Sequence, residues 1–231
     1  MARSPSSGRG AEAETHERRA MIREIEAEAR ETARYTGRSA FDARIMAALA
    51  EVPRHEFVPA GERDFAYFNE PLPIGHGQTI SQPYIVALMT DLLEPQPEHV
   101  VLEVGTGCGY QAAVLSRLVR RVYSIEVVAA LAASARERLA RLGFDNVEVR
   151  AGDGAAGWPE HAPYDGIVVT AAAAELPPAL VHQLKPGGRM VIPLDSGLWQ
   201  DLKLVIKDDK GGIDSRTVLP VAFVPLTHPG K

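Results

Sequence analysis

The spacing of apolar and polar positions changes character at two places along the chain. Residues 11–34 are rich in Ala, Glu and Arg, good helix formers, and only Met21, Ile22 and Ile25 cluster as apolar residues. Glu14 with Arg18 and Glu26 with Arg30 stand at the supportive i, i+4 spacing, so a mostly solvated, loosely attached helix is expected there. Residues 1–10 are Ser, Gly, Pro and Arg in low-complexity order, and positions 1–19 read as a disordered or loosely helical tail. A second helix is expected from about Ser39, with Asp42 as a capping-box variant and Ile45, Ala48 and Leu49 on one face before Pro53 stops it. Residues 53–82 lose periodicity and carry Pro53, Pro59, Pro71, Pro73, Gly75 and Gly77, the pattern of a long ordered loop. Pro83–Leu93 reads as a helix, with Ile85, Leu88, Met89 and Leu92 at i, i+3, i+4 and i+7.

From His99 onward, short apolar runs alternate with helical stretches. Runs at 99–104, 121–126, 147–150, 166–170 and 189–194 read as strands, and stretches near 110–119, 128–142 and 176–184 as helices. Near-continuous apolar strands separated by helices imply a parallel sheet covered on both faces. Residues 201–207 and 217–226 read as further strands joined by a short polar turn, and are therefore expected to be antiparallel. The expected class is α/β: a Rossmann-like, doubly wound, mostly parallel sheet with an N-terminal helical extension and antiparallel C-terminal strands. Residues 20–231 are expected to form one domain, with helices and loop at 20–82, the core at 83–200 and the last strands at 201–231.

Composition narrows the function. The chain has 231 residues and is 45% hydrophobic, enough for a packed core. Lys and Arg number 25 against 30 Asp and Glu, a net charge of −5 that argues against a general polyanion binder such as a nucleic-acid protein. In residues 1–34 seven Arg meet seven Glu, so the N-terminal helix is neutral rather than a basic arm. The single cysteine, Cys108, rules out an internal disulfide and fits a reducing compartment. No apolar run is long enough to span a membrane, and the N-terminus lacks a secretory apolar region. A soluble, cytoplasmic monomer without membrane contact is expected.

The richest chemistry lies in Glu103-Val104-Gly105-Thr106-Gly107-Cys108-Gly109-Tyr110, where the first core strand turns into its helix. Glycines there let the backbone approach a ligand, at the place where doubly wound sheets bind nucleotides. Glu126 ends the next strand, where a carboxylate can accept both ribose hydroxyls of an adenosine. The bland alternative is a glycine turn that merely tightens strand–helix packing. The spacing Gly-x-Gly-x-Gly departs from the Gly-x-Gly-x-x-Gly that seats a pyrophosphate, and Glu103 would repel one. An acid there suits a cationic end, so S-adenosylmethionine fits better than NAD. Gly152-Asp153-Gly154 follows the third core strand, where Asp153 could accept a hydrogen bond from an adenine amino group. Taken alone, that tripeptide reads as an ordinary Asp–Gly turn.

With Gly75-His76-Gly77-Gln78-Thr79-Ile80-Ser81-Gln82-Pro83, these residues make the chain resemble the protein-L-isoaspartate (D-aspartate) O-methyltransferase family, in its bacterial form. The family has the class I S-adenosylmethionine-dependent methyltransferase fold. Further matching pieces are Val52-Pro53-Arg54, Phe57-Val58-Pro59, Leu72-Pro73-Ile74-Gly75, Pro163-Tyr164-Asp165, Val169-Thr170-Ala171-Ala172, Leu184-Lys185-Pro186-Gly187-Gly188 and Phe223-Val224-Pro225-Leu226, over roughly residues 20–227. The resemblance implies methyl transfer from S-adenosylmethionine to the α-carboxyl exposed by an isoaspartyl linkage, leaving S-adenosylhomocysteine, as the first step in repair of damaged proteins. It implies that Ser81 is the active-site hydroxyl and that Gln78, Thr79 and Ile80 line the cleft with it. Glu103, Gly105, Thr106, Gly107 and Gly109 would hold the methionine end, Glu126 the ribose, and Asp153 with Gly154 the adenine. Thr227 matches a cofactor-contacting position of some members. Two departures stand out: Ala174-Glu175 where the family often has Pro after its alanine run, and Cys108 where Ser is commoner.

A carboxylate nucleophile is already ionised at neutral pH, so the reaction needs no general base. Alignment of oxygen, methyl carbon and sulfur is the main task, and a neutral hydroxyl orients the anion without overstabilising the ground state. From position alone Ser81 reads as a cap for the helix starting near Pro83; the resemblance adds the catalytic role. His55, His76, His161 and His182 lack metal-ligand spacing, and no metal is expected; Trp158 and Trp199 read as packing residues. Alternatives are a carboxyl methyltransferase acting on a dedicated peptide, a catalytically silent cofactor-binding protein and, more remotely, an NAD oxidoreductase.

Overall fold

A computed structural model describes residues 11–228. Six helices and nine strands are found among them: α1 (Ala11–Thr36), α2 (Ala43–Glu51), β1 (Leu72–Gly75), β2 (Gln78–Ile80), α3 (Pro83–Leu93), β3 (Val100–Val104), α4 (Tyr110–Ser116), β4 (Arg121–Glu126), α5 (Ala129–Arg141), β5 (Val147–Ala151), β6 (Tyr164–Val169), α6 (Pro178–Gln183), β7 (Leu184–Asp195), β8 (Gln200–Lys207) and β9 (Ile213–Val221). The main sheet runs β5-β4-β3-β6-β7-β8-β9. Pairings from β5 through β7 are parallel, and β7–β8 and β8–β9 are antiparallel. This is the mostly parallel α/β architecture with antiparallel C-terminal strands expected from the sequence.

Side-chain alternation along β3 shows how the two faces are filled. Val101 joins the apolar layer formed with α1 to α4, whereas Leu102 and Val104 join the opposite layer with Trp158, Tyr164 and Leu180. Glu103 therefore points to the Val101 side, under α4, and is completely buried. The chain leaves β3 towards β4 on one side and reaches its other neighbour, β6, only after β5. Such a reversal opens a crevice beyond the carboxyl ends of the strands, and the glycine turn after Val104 lies at that point.

Helix α1 is anchored more firmly than its charged composition suggests. Met21, Ile25 and Ala29, four residues apart, are fully buried, and Ala29 supplies the contact that the apolar cluster alone did not reveal. Helix α2 starts at Ala43 rather than near Ser39, because Asp42 itself caps it by accepting the Arg44 N–H at 2.8 Å. The stretch expected as a long ordered loop contains two short 3-10 turns and the hairpin β1–β2. His76 and Gly77 turn that hairpin at φ +53° and +70°, the left-handed conformation a two-residue hairpin needs. After β9 the chain runs as a strap: Gln200 and Phe223 exchange two side-chain–backbone hydrogen bonds at 2.6 and 3.0 Å, and the Leu226 N–H donates to Ala172 O at 2.7 Å. Trp158 is buried, but Trp199 is 57% exposed on the β7–β8 turn, so it is not the packing residue expected.

Candidate active site

The glycine turn is built by hydrogen bonds that consume its own donors. The N–H groups of Gly105 and Thr106 donate to Ile125 O at 2.8 and 3.2 Å, and Gly109 N–H donates to Thr106 O at 2.8 Å. The Gly107 N–H donates to Glu126 Oε2 at 2.7 Å. Those four amides are therefore spent, and the turn offers none of them to a phosphate. Gly105 has φ +96°, and a Cβ there would lie 2.5 Å from Thr170 Oγ1. Thr170 in turn donates that hydroxyl to Gly105 O at 2.6 Å, tying the tip of β6 to the turn.

Two hollows meet above this turn. A narrow cleft is walled by Gln78, Thr79, Ile80 and Ser81 from the hairpin side and by Gly105, Thr106 and Gly107 from the turn. Glu126, Gly154 and Thr227 complete it. A wider chamber of about 470 Å³ lies between Glu28, Tyr84, Ile85, Leu219 and Phe223. Thr79, Ser81, Thr170 and Val224 belong to both, so they form the wall between them. The Ser81 hydroxyl has no hydrogen-bond partner among the described residues, and Gln82, not Ser81, is the N-cap residue of α3. The capping role expected for Ser81 from position alone is thus absent.

Three expected cofactor residues do not reach the surface of the cleft. Gly109 lies behind it, with a would-be Cβ 3.2 Å from Leu139 Cδ1. Asp153 is set beside it: Oδ1 accepts the Ala155 N–H at 2.9 Å and Oδ2 lies 2.9 Å from His228 Nδ1. Glu103 sits beneath the turn, because strand alternation turns it inward. Its Oε2 accepts a short hydrogen bond from Ser124, whose hydroxyl is 2.5 Å from Thr106 Oγ1 on the cleft wall. Its Oε1 has no hydrogen-bond partner among the described residues, and burial pushes the carboxyl up to about 8. Glu126 is reached directly, with Oε1 accepting the Val128 N–H at 2.9 Å and Oε2 the Gly107 amide.

Several lining residues were given no site role from the sequence, though all but Val127 lie in pieces that match the family: Thr170, Ala171, Val127 and the strap residues Val224, Pro225 and Leu226. The Phe-Val-Pro-Leu piece at 223–226 was the signal available for the strap, but nothing in its chemistry marks a site. His76 lies in the hairpin turn but lines neither hollow. Among the described residues no group of three or more His, Cys, Asp or Glu is arranged to hold a metal ion.

Residues 31–231 match the family described as "Protein-L-isoaspartate(D-aspartate) O-methyltransferase (PCMT)". A protein-L-isoaspartate O-methyltransferase 2 of Syntrophobacter fumaroxidans is 64% identical over 208 residues, covering 90% of this chain and 84% of the relative. A solved structure titled protein-L-isoaspartate O-methyltransferase superposes with a TM-score of 0.79 at 30% identity, over 90% of this chain and 65% of that longer one. A Plasmodium falciparum structure titled as a putative protein-L-isoaspartate O-methyltransferase, in complex with S-adenosyl-L-homocysteine, has a TM-score of 0.75 at 24% identity, over 91% and 98% of the two chains.

Proposed function

The chain belongs to the protein-L-isoaspartate(D-aspartate) O-methyltransferase family, and we propose that its narrow cleft binds S-adenosylmethionine while the wider chamber receives the isoaspartyl peptide. The activity is transfer of a methyl group from that donor to the α-carboxyl left free by the isoaspartyl linkage. The observation that carries the assignment of chambers is the place of Ser81: its unpartnered hydroxyl stands on the wall that the two hollows share.

The residues present fit the donor. A buried carboxyl with an orphaned oxygen beneath the glycine turn favours a cationic group above it, and the methionine ammonium is one. Turn amides already bonded within the protein disfavour a diphosphate instead. Glu103 would then act from under the floor, through its charge and the Ser124–Thr106 hydroxyls, rather than by touching the ligand. Glu126 keeps free lone pairs on both oxygens for ribose hydroxyls while its two backbone bonds fix its orientation. Gly154 lets the turn after β5 pack directly on Val104 at the adenine end, where a Cβ would collide with that side chain. Bound S-adenosylmethionine supplies an activated methyl on a sulfonium sulfur.

The peptide carboxylate arrives ionised, so no residue has to remove a proton from it. Ser81 donates its hydroxyl to one carboxylate oxygen and turns the other towards the shared wall. Neutral donation suits a reaction in which an anion and a cation neutralise each other, because a cationic clamp would hold the ground state more tightly than the transition state. Among the described residues no Lys or Arg lines either hollow. The single cysteine, Cys108, supports action in a reducing compartment. Among the described residues no helix is long and apolar enough to cross a membrane.

Matched isoaspartyl and aspartyl peptides incubated with labelled S-adenosylmethionine test the reading. Methylation of the isoaspartyl peptide alone is expected; preference for the aspartyl peptide refutes it and points to a dedicated peptide substrate.

A further inference from the structure

The hydroxyl that the proposed chemistry depends on has no hydrogen bond of its own, so something else must hold it in place. The candidates are its chain neighbours, and these converge on one side chain of α1. Glu28 Oε2 accepts a hydrogen bond from Asn69 Nδ2 at 2.7 Å and another from Gln82 Nε2 at 3.0 Å. Gln82 directly follows Ser81 and is the N-cap residue of α3, yet its side chain makes no capping bond. That end of the helix is capped instead by Asn69, whose Oδ1 accepts the Tyr84 N–H at 2.9 Å. One carboxylate oxygen thus grips both the residue after Ser81 and the residue that caps the helix Ser81 leads into. Thr32, one turn further along α1, adds a second tie through its hydroxyl, 2.6 Å from Tyr84 Oη.

Resting on the assignment of Ser81 above, we infer that Glu28 is a positioning residue for methyl transfer: it fixes the β2–α3 junction through Gln82 and Asn69 and so sets where the Ser81 hydroxyl stands between the two chambers. The N-terminal helix is then part of the active site's frame rather than an appendage. Its buried stripe of Met21, Ile25 and Ala29 holds α1 against the core, and Glu28 transmits that rigidity to the junction. Glu28 also lines the wider chamber, so its carboxylate could instead act by charge on the peptide. Geometry favours the positional role, because the Asn69 and Gln82 hydrogen bonds converge on a single oxygen, which an uncharged amide oxygen can reproduce. Burial raises the Glu28 carboxyl from its ordinary value, against the pull of the Asn69 and Gln82 hydrogen bonds.

A double-mutant cycle on isoaspartyl-peptide methylation tests this, with S-adenosylhomocysteine binding and thermal unfolding followed in parallel. Glu28→Ala is expected to lower kcat roughly tenfold, as small misplacements of reacting groups do, with product affinity unchanged. Glu28→Gln keeps an accepting oxygen and is expected to stay within about twofold of the parent. In a Ser81→Ala background the same Glu28→Ala change is expected to cost less than about twofold, because the group it positions is gone. A full tenfold loss in that background, or a Gln variant as poor as Ala, overturns the inference while leaving Ser81 in place. A Ser81→Ala enzyme with undiminished turnover overturns the Ser81 assignment, and with it any positioning through Ser81. Should Glu28→Ala fail to fold, Gln82→Ala cuts one arm of the same link, and the cycle is read with it in the same way.

Discussion

Asp153 and His228 are joined side chain to side chain, Oδ2 to Nδ1 at 2.9 Å, across 75 positions of sequence. His228 stands at the end of the strap over the cleft, and the other Asp153 oxygen is held by the Ala155 N–H. An adenine amino group that reaches Asp153 must therefore share or displace His228. The contact is exposed, and such pairs contribute at most about 1 kcal/mol. His228→Ala is accordingly expected to change S-adenosylhomocysteine affinity by less than about fivefold, the equivalent of that energy. Asp153→Ala is expected to weaken it about tenfold and to erase preference for the 6-amino over the 6-oxo purine analogue. Calorimetric titrations of both variants with both analogues decide; an Asp153→Ala protein that still prefers the amino form removes Asp153 from the adenine site.

Ser81→Ala separates catalysis from helix capping. Because α3 receives no cap bond from Ser81, the substitution is expected to leave the melting temperature nearly unchanged. Turnover on an isoaspartyl peptide is expected to fall tenfold or more, about 1.4 kcal/mol of lost transition-state stabilisation. A drop in stability with normal turnover would reverse the two roles.

Much of the fold could be read directly because the central parallel strands are buried on both faces, which gives near-continuous apolar runs such as Val100–Val104, broken only by Glu103, and Gly166–Val169. The hairpin β1–β2 escaped for the opposite reason. Its strands hold four and three residues, Pro73 breaks the first, and His-Gly is an uncommon turn pair. In the site, glycines and carboxylates announced themselves because their chemistry is unusual in a core. Whether Glu103 touches the ligand or underlies it depends on the strand's face, and that depends on how α4 packs. Val224, Pro225 and Leu226 line the cleft with apolar surface that looks like any other. The Glu28–Gln82 link, 54 positions apart, has no local pattern at all.

Gly105→Ala tests the close approach of the turn to β6. Gly105 and Gly75 both have strongly positive φ, +96° and +91°, so alanine at either site pays backbone strain of about 1–3 kcal/mol. Only at Gly105 would the new Cβ also meet Thr170 Oγ1, at 2.5 Å; nothing lies within 4 Å at Gly75. Urea unfolding is expected to show Gly105→Ala as clearly the less stable of the two, with S-adenosylhomocysteine binding lost. Equal losses would mean that Thr170 moves aside freely and that the turn tolerates a side chain.

Glu103 makes the empty protein sensitive to pH in a direction opposite to an ordinary salt-bridged acid. Its folded carboxyl titrates near 8, against 4.5 for the free group, because burial outweighs the Ser124 hydrogen bond and the Glu126 charge adds to the rise. Between those values the folded state binds the proton that the unfolded state has released. Stability therefore falls as pH rises through the window from about 4.5 to 8, and this contribution is constant outside it. Cys108, raised to about 11, and Tyr110, raised to about 12, titrate above that window, while the Glu28 and Asp91 carboxyls, also raised by burial, add a slope of the same sign that comparison with Glu103→Gln subtracts. The melting temperature of the parent is expected to decline more steeply from pH 5 to 8 than that of Glu103→Gln, which has no proton to lose. A cationic ligand above the turn draws Glu103 back to its ionised form. Binding of S-adenosylhomocysteine below pH 8 should then expel a proton, seen as a dependence of calorimetric heat on buffer ionisation enthalpy that vanishes in Glu103→Gln. Parallel melting curves for the two proteins, together with buffer-independent heats, would show that the carboxyl under the turn is not coupled to the ligand's charge.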